Sequence, residues 1–154
     1  MDLYLAQHGK ATPKEEDPDR PLTREGRSET ERVGRAAARS GIRLGAVWHS
    51  GKPRARETAE VFSQALLPAV GPEEKPWLGP EDDPRHAIEA ARATDGPVLL
   101  VGHLPYMSRL PSLLLTGDRE RGIVDVRYSG IIALGEDGDG WTLRWYMRPE
   151  LLTG

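Results

Sequence analysis

Pro97-Val98-Leu99-Leu100-Val101, followed at once by Gly102-His103-Leu104-Pro105, is the stretch on which the reading of this chain turns. Side chains of a strand point alternately to opposite faces, so a run that is apolar without alternation must be buried on both sides. A strand inside a parallel sheet needs that composition, because crossover helices cover both of its faces. The run is far too short to span a bilayer. It ends in a glycine and a histidine, and a leucine-rich helix is predicted next, from about Pro105 to Leu115.

Two more short strands end in the same way. Leu3-Tyr4-Leu5 lies in a predicted strand over 2–6 that stops at Gln7-His8-Gly9, and Ala46-Val47-Trp48 stops at His49-Ser50-Gly51. Residues 10–22, rich in Pro, Asp and Glu, read as a surface loop. A helix is predicted from Arg24 to Ser40, with Thr23 as N-cap and Gly41 as its stop. Pro53 suits the first position of another helix to about Leu67, with Ala55, Ala59, Phe62, Ala65 and Leu66 on its apolar face. Asp83-Pro84 reads as an N-cap followed by a first-turn proline, opening a helix to about Arg92. In the last third, Val124, Val126 and Tyr128 alternate, Ile131 to Leu134 is apolar, and Trp141 to Met147 alternates again. These read as strands, with a hairpin around 135–140. The order β-loop-α-β-α-α-β-α, ending in strands, predicts an α/β fold. It has three layers, α/β/α, with a mostly parallel central sheet and an antiparallel C-terminal hairpin or edge, in one domain over 1–154.

Composition narrows the function. The 154 residues carry a net charge of −3, with both signs dispersed, so no basic stripe for nucleic acid is present. Met1-Asp2-Leu3-Tyr4 has neither a basic segment nor a long apolar one, and the expectation is a cytoplasmic protein with no membrane partner. No cysteine is present, which removes disulfides, thiol nucleophiles and thiolate metal sites together. The absence of asparagine, with many prolines and charges, suits a thermophilic source, although a GC-rich genome would give a similar bias.

Chemistry gathers at the strand ends: His8, Ser50 with Arg54 just beyond it, and His103. In open α/β sheets ligands sit outside the carboxyl ends of parallel strands, so these distant residues are expected to converge. Singly, each has a plainer reading as a loop histidine, a helix-start arginine or a turn glycine. Together they outline an anion site. A zinc site of His8, His49 and His103 is the other arrangement the residues allow, but Arg54 would repel the cation.

The motifs resemble those of the histidine phosphatase (phosphoglycerate-mutase-like) superfamily, and within it the short phosphohistidine phosphatases of SixA type. Gln7-His8-Gly9 stands where that family has Arg-His-Gly. Arg20-Pro21-Leu22-Thr23 with Gly26, Ser50-Gly-Lys-Pro-Arg54-Ala-Arg-Glu-Thr58 and Gly102-His103-Leu104-Pro105 match its other segments in order. The resemblance spans essentially the whole chain. It implies a phosphatase that forms a phosphohistidine on His8, with Arg54 and a protonated His103 gripping the phosphoryl group. Gln7, Gly9, Arg20 and Ser50 would bind substrate, backbone N–H groups around Gly9 would help hold the anion, and no metal or cofactor is needed. The implied partner is a protein bearing phosphohistidine, such as a histidine phosphotransfer domain, or a small phosphorylated molecule.

Gln7 departs from the pattern, because it brings neither charge nor a bidentate fork. The expectation is a weakened enzyme, with a catalytically lapsed phosphate- or phosphoprotein-binding module as the alternative. Lys10, Arg20, Lys52 and Arg56 are the cations near enough in sequence to replace the lost charge. Glu81, Asp82 and Asp83 are the acids in the short region where relatives acting on alkoxide leaving groups carry a general acid; Asp83 reads instead as an N-cap.

Overall fold

The computed structural model describes residues 1–153. Its elements run β1 (Asp2–Gln7), α1 (Arg24–Arg39), β2 (Ala46–His49), α2 (Pro53–Leu66), β3 (Val70–Glu74), α3 (Arg85–Arg92), β4 (Val98–Gly102), α4 (Tyr106–Thr116), β5 (Ile131–Asp137) and β6 (Gly140–Met147). A 3₁₀ turn, Pro149–Leu151, follows. One sheet holds all six strands in the order β3-β2-β4-β1-β5-β6. The β1–β4, β2–β4 and β2–β3 pairs are parallel, and the β1–β5 and β5–β6 pairs antiparallel. This is the α/β architecture expected, including the antiparallel C-terminal hairpin.

The pleat divides the core in two. Leu3, Leu5, Val98 and Leu100 face one side, with Tyr106, Met107 and Leu110 of α4 and Ala87 and Ala91 of α3. Tyr4, Ala6, Leu99 and Val101 face the other, with Val33 and Ala37 of α1 and Ala55, Ala59 and Phe62 of α2. Strand β4 is therefore buried on both faces, as its unbroken apolar run demanded. Trp77 belongs to the first cluster's rim, edge-on to Trp48 with ring centroids 5.7 Å apart.

Helix starts follow the expected chemistry. Thr23 Oγ1 accepts from Gly26 N at 2.9 Å, and Pro53 occupies the first turn of α2. Helix α3 begins one residue later than predicted. Asp83 Oδ1 still accepts from Arg85 N at 3.0 Å, so the aspartate covers the helix start from outside it.

Two differences from expectation concern strands. β3 had no sequence signal: all five of its residues are exposed and they include Gly71 and Pro72, so it is held by edge pairing to β2 rather than by burial. Residues 124–128 form no strand. Val124 and Val126 lean on the core while Asp125 and Arg127 face solvent, so alternation here records a loop with one buried side. Tyr128 meets the sheet through an isolated bridge to Gln7, while Arg127 N donates to Tyr146 Oη of β6 at 2.7 Å and that hydroxyl donates to Asp125 O at 2.9 Å. Among the described residues, no helix is long and apolar enough to cross a membrane.

Candidate active site

The carboxyl ends of β1, β4 and β2 lie side by side, because β4 pairs with both of the others in parallel. His8, His103 and Ser50 follow those three ends directly, so strand pairing alone assembles them. The rings of His8 and His103 stand 5.1 Å apart between centroids. Both are buried, at 6% and 2% exposure.

His8 Nδ1 lies 2.7 Å from the carbonyl oxygen of Gly9. A carbonyl only accepts, so Nδ1 carries the proton and Nε2 keeps its lone pair. Burial, above all, holds the His8 pKa down to about 4. The Gly9 bond opposes that, and the charges of Arg54 and Arg20 add to it. His8 is thus a neutral imidazole with one free, basic nitrogen at ordinary pH.

His103 Nε2 and Ser50 Oγ are hydrogen-bonded at 2.6 Å, while His103 Nδ1 is buried without a partner. Burial again comes first in lowering its pKa, to about 3, followed by His8, Arg54, Lys52 and Arg20. Burial and the nearby cations thus disfavour a protonated His103, so the protonated ring expected to grip a phosphoryl group draws on that group's negative charge. Too many positive groups surround a buried ring for it to hold a proton unless an anion enters.

Arg54 sits in the first turn of α2, half-buried, with Nε out of contact with solvent and without a partner. Its pKa is lowered by burial first and then by Arg20, while Tyr128 opposes the shift. This buried N–H makes no hydrogen bond within the chain and is placed to donate to an acceptor.

Arg20 reaches the site because the 10–22 loop folds back on itself. Thr12 N donates to Pro21 O at 2.8 Å, Thr23 N to Lys10 O at 2.9 Å, and Leu22 N to Glu57 Oε1 at 3.1 Å. Arg20 adopts the left-handed region, φ 49°, with Nε donating to Thr12 O at 3.1 Å. A non-glycine residue held there is strained, and the surrounding bonds over-determine it.

Gly9 differs from its expected part. Its N–H donates to Thr58 Oγ1 at 2.9 Å and is not free for an anion. Thr58 in turn donates to Arg54 O at 2.7 Å, so this one threonine ties the end of β1 to the helix carrying Arg54. A Cβ on Gly9 would lie 2.9 Å from both Ser129 Oγ and Thr30 Oγ1, which explains the glycine by close packing. Gln7 is buried at the end of β1, paired with Gly102 on one side and bridged to Tyr128 on the other.

Of the four cations near in sequence, Lys10 pairs with Glu25 at 2.7 Å and Arg56 with Glu60 at 3.4 Å, both outside the pocket. Arg20 and Lys52 are the two whose charge is felt by His103. His49 does not join the histidine pair; its Nδ1 accepts from Gly51 N at 3.0 Å and shapes the turn before α2. His86 is exposed. The three acids are engaged elsewhere: Asp82 Oδ2 accepts from Gly79 N at 2.7 Å, Asp83 holds Arg85 at 2.9 Å, and Glu81 holds Arg109 at 3.0 Å. Sequence reading missed Tyr128, whose ring lies 5.6 Å from that of His8. Nothing distinguished it from an ordinary strand aromatic.

Comparison with known proteins agrees with this fold. Residues 3–75, which include His8, Arg20 and Arg54, match the model of the histidine phosphatase superfamily, branch 1. The solved protein histidine phosphatase SixA, in complex with tungstate, superposes with a TM-score of 0.85 at 25% identity, covering 99% of this chain and 100% of that one. The chain belongs to the histidine phosphatase superfamily. Within it the chain is SixA-like. A structure described as a phosphohistidine phosphatase SixA from Agrobacterium tumefaciens shares the fold, with a TM-score of 0.77 at 24% identity over 96% of this chain and 97% of that one. A protein of Picosynechococcus sp. with no assigned function is 30% identical over 145 residues, 87% of this chain and 84% of its own length.

Proposed function

We propose that this SixA-like chain is a cytoplasmic, metal-independent phosphohistidine phosphatase that works through a phosphoryl group carried on His8 Nε2. The observation that carries the reading is the 2.7 Å contact of His8 Nδ1 with Gly9 O, which leaves Nε2 unprotonated beside a set of cations. In the first step the Nε2 lone pair attacks phosphorus and forms a P–N bond. The bond from phosphorus to the substrate imidazole breaks, and that imidazole, already protonated, leaves neutral. Water then adds to phosphorus, the P–Nε2 bond breaks, inorganic phosphate departs, and His8 is again neutral.

Such transfers depend on positioning and on neutralising the equatorial oxygens. Arg54, whose Nε lacks an acceptor, would donate to one of them. An entering phosphoryl dianion raises the pKa of His103, which then takes up a proton and adds a second charged donor. Ser50 keeps that ring in place meanwhile. Arg20 and Lys52 supply the longer-range field and stand in part for the arginine absent at Gln7. The tungstate bound by SixA, a tetrahedral oxyanion shaped like phosphate, supports an anion pocket in this family.

A phosphoramidate is favoured as substrate because Glu81, Asp82 and Asp83 are all occupied outside the pocket. An alkoxide leaving group needs a general acid, whereas protonated phosphohistidine does not. Gln7 also favours a second reading, a module that binds phosphate without turnover.

Phosphate release from phosphoimidazole and from a phosphohistidine protein, without added metal, separates the readings. Wild type turns over, His8→Ala abolishes turnover, and Gln7→Arg raises it by up to about 10²–10³, the usual worth of one oxyanion donor. An inert wild type beside an active Gln7→Arg would instead establish the lapsed binding module.

A further inference from the structure

Tyr128 is the aromatic residue at the mouth of the site. Its ring stands 5.6 Å from the His8 ring, tilted by 42°, yet the residue remains 42% exposed while His8 is buried. It also lines a surface groove of about 410 Å³, together with Lys10, Glu29, Arg127, Arg148, Pro149 and Glu150. Tyr128 thus touches both the His8 ring and this groove, so a group attached to a phosphoryl at His8 and extending toward the groove meets its ring.

The backbone beneath it is pinned. Gln7 bridges to Tyr128, and Ser129 N donates to Gln7 O at 3.1 Å. Ser129 itself lies at φ 62°, fully buried, with Oγ 2.7 Å from Thr30 Oγ1. A flat apolar face fixed in advance loses little conformational freedom when a ligand settles on it. The charges around the groove are paired with one another: Lys10 with Glu25 and Glu29, Arg148 with Glu150, and Arg127 with Asp125. They leave little net field to select a partner by charge.

We infer that Tyr128 is a specificity-determining residue, a stacking wall that favours phosphoryl compounds whose leaving group is a flat ring, as the imidazole of phosphohistidine is. The inference deepens the proposed function and rests on the anion site described there. Aromatic pairs in offset or tilted geometry gain enough beyond simple burial to give about a 3- to 10-fold preference.

The test uses two inert ligands, phenylphosphonate and methylphosphonate, with affinities from calorimetry, so it does not depend on turnover. Wild type binds the phenyl compound about 3- to 10-fold more tightly, Tyr128→Ala brings that ratio close to one, and Tyr128→Phe, which keeps the ring, retains it. Tyr128→Leu, apolar but not flat, behaves like the alanine variant. Equal affinities in wild type, or a ratio that survives Tyr128→Ala, would overturn the role of Tyr128 alone. Failure of methylphosphonate to bind, or binding indifferent to Arg54→Ala, would remove the anion site and this inference with it.

Discussion

Acid should weaken this protein through its two central histidines. An unfolded histidine titrates near 6.5, whereas burial and neighbouring cations hold His8 down to about 4 and His103 to about 3. Between those values the unfolded chain binds more protons than the folded one, so stability falls as pH drops. The contribution is complete above pH 6.5, declines through 6.5 toward 4, and levels off below about 3. At pH 5 the unfolded histidines are nearly all protonated and the folded ones largely neutral. Each then disfavours the folded state by about 2 kcal/mol relative to pH 8, roughly 4 kcal/mol for the pair. Against a typical total of about 5–15 kcal/mol that is a large fraction.

Urea denaturation followed by tryptophan fluorescence at pH 8 and pH 5 measures the loss. Surface carboxylates contribute acid sensitivity of their own, so the informative quantity is the difference between wild type and the His8→Gln/His103→Gln variant. Wild type is expected to lose about 4 kcal/mol more than the variant. Phosphate should offset part of the loss, because its negative charge favours protonated His103; at a hundred times its dissociation constant it adds about 2.7 kcal/mol. Equal acid sensitivity in the two proteins would refute the reasoning. So would ring ¹⁵N resonances of His8 and His103 that titrate near pH 6.5 in the folded wild type, a readout independent of any variant.

Lys52→Ala should weaken phosphate binding by up to about 5-fold, the range of an exposed charge, while Arg56→Ala, whose guanidinium is paired with Glu60, should not. Calorimetric titration with phosphate checks both, and equal losses would show that proximity to α2 alone matters. Gly26→Ala should destabilise by about 1–3 kcal/mol, because its Cβ would run into the backbone nitrogen and carbonyl of Lys10 rather than a movable side chain. A drop in melting temperature of roughly 2–12 °C is expected, against almost none for Gly138→Ala, where the space is open. Equal melting temperatures for the two variants would contradict the contact.

The sequence carried most of the frame because burial writes itself into residue type. Val98 to Val101 must be apolar on every residue when α-helices cover both faces, and the polar residues beyond β1, β2 and β4 mark the rim that open α/β sheets use for ligands. β3 was illegible because an edge strand with every residue exposed is selected by backbone pairing, which leaves no trace in Val70-Gly71-Pro72-Glu73-Glu74. Residues 124–128 misled for the opposite reason, since one-sided burial gives a loop the alternation of a strand. Within the candidate site, motif spacing singled out His8, Arg54 and His103, and the fold brings the two histidines together with the Arg54 charge acting on both. Spacing did not reveal that Thr58, 49 residues away, occupies the Gly9 N–H, or that Lys10 is drawn off by Glu25 and Glu29. Those are contacts between segments distant in the chain, and local pattern does not encode them.

The position of β1 in the sheet has a consequence for synthesis. Strand β1 pairs with β4 and β5, both made long after it, and Gln7 finds its parallel partner at Gly102. At about 5–20 residues per second, Leu3, Tyr4 and Leu5 wait on the order of 5–20 s before either neighbour exists. During that interval the most apolar part of the amino terminus has unpaired N–H and C=O groups on both edges. A newly made chain is therefore a natural client for a chaperone that holds extended apolar segments, and truncation before β4 should leave a product prone to aggregate rather than a smaller folded unit.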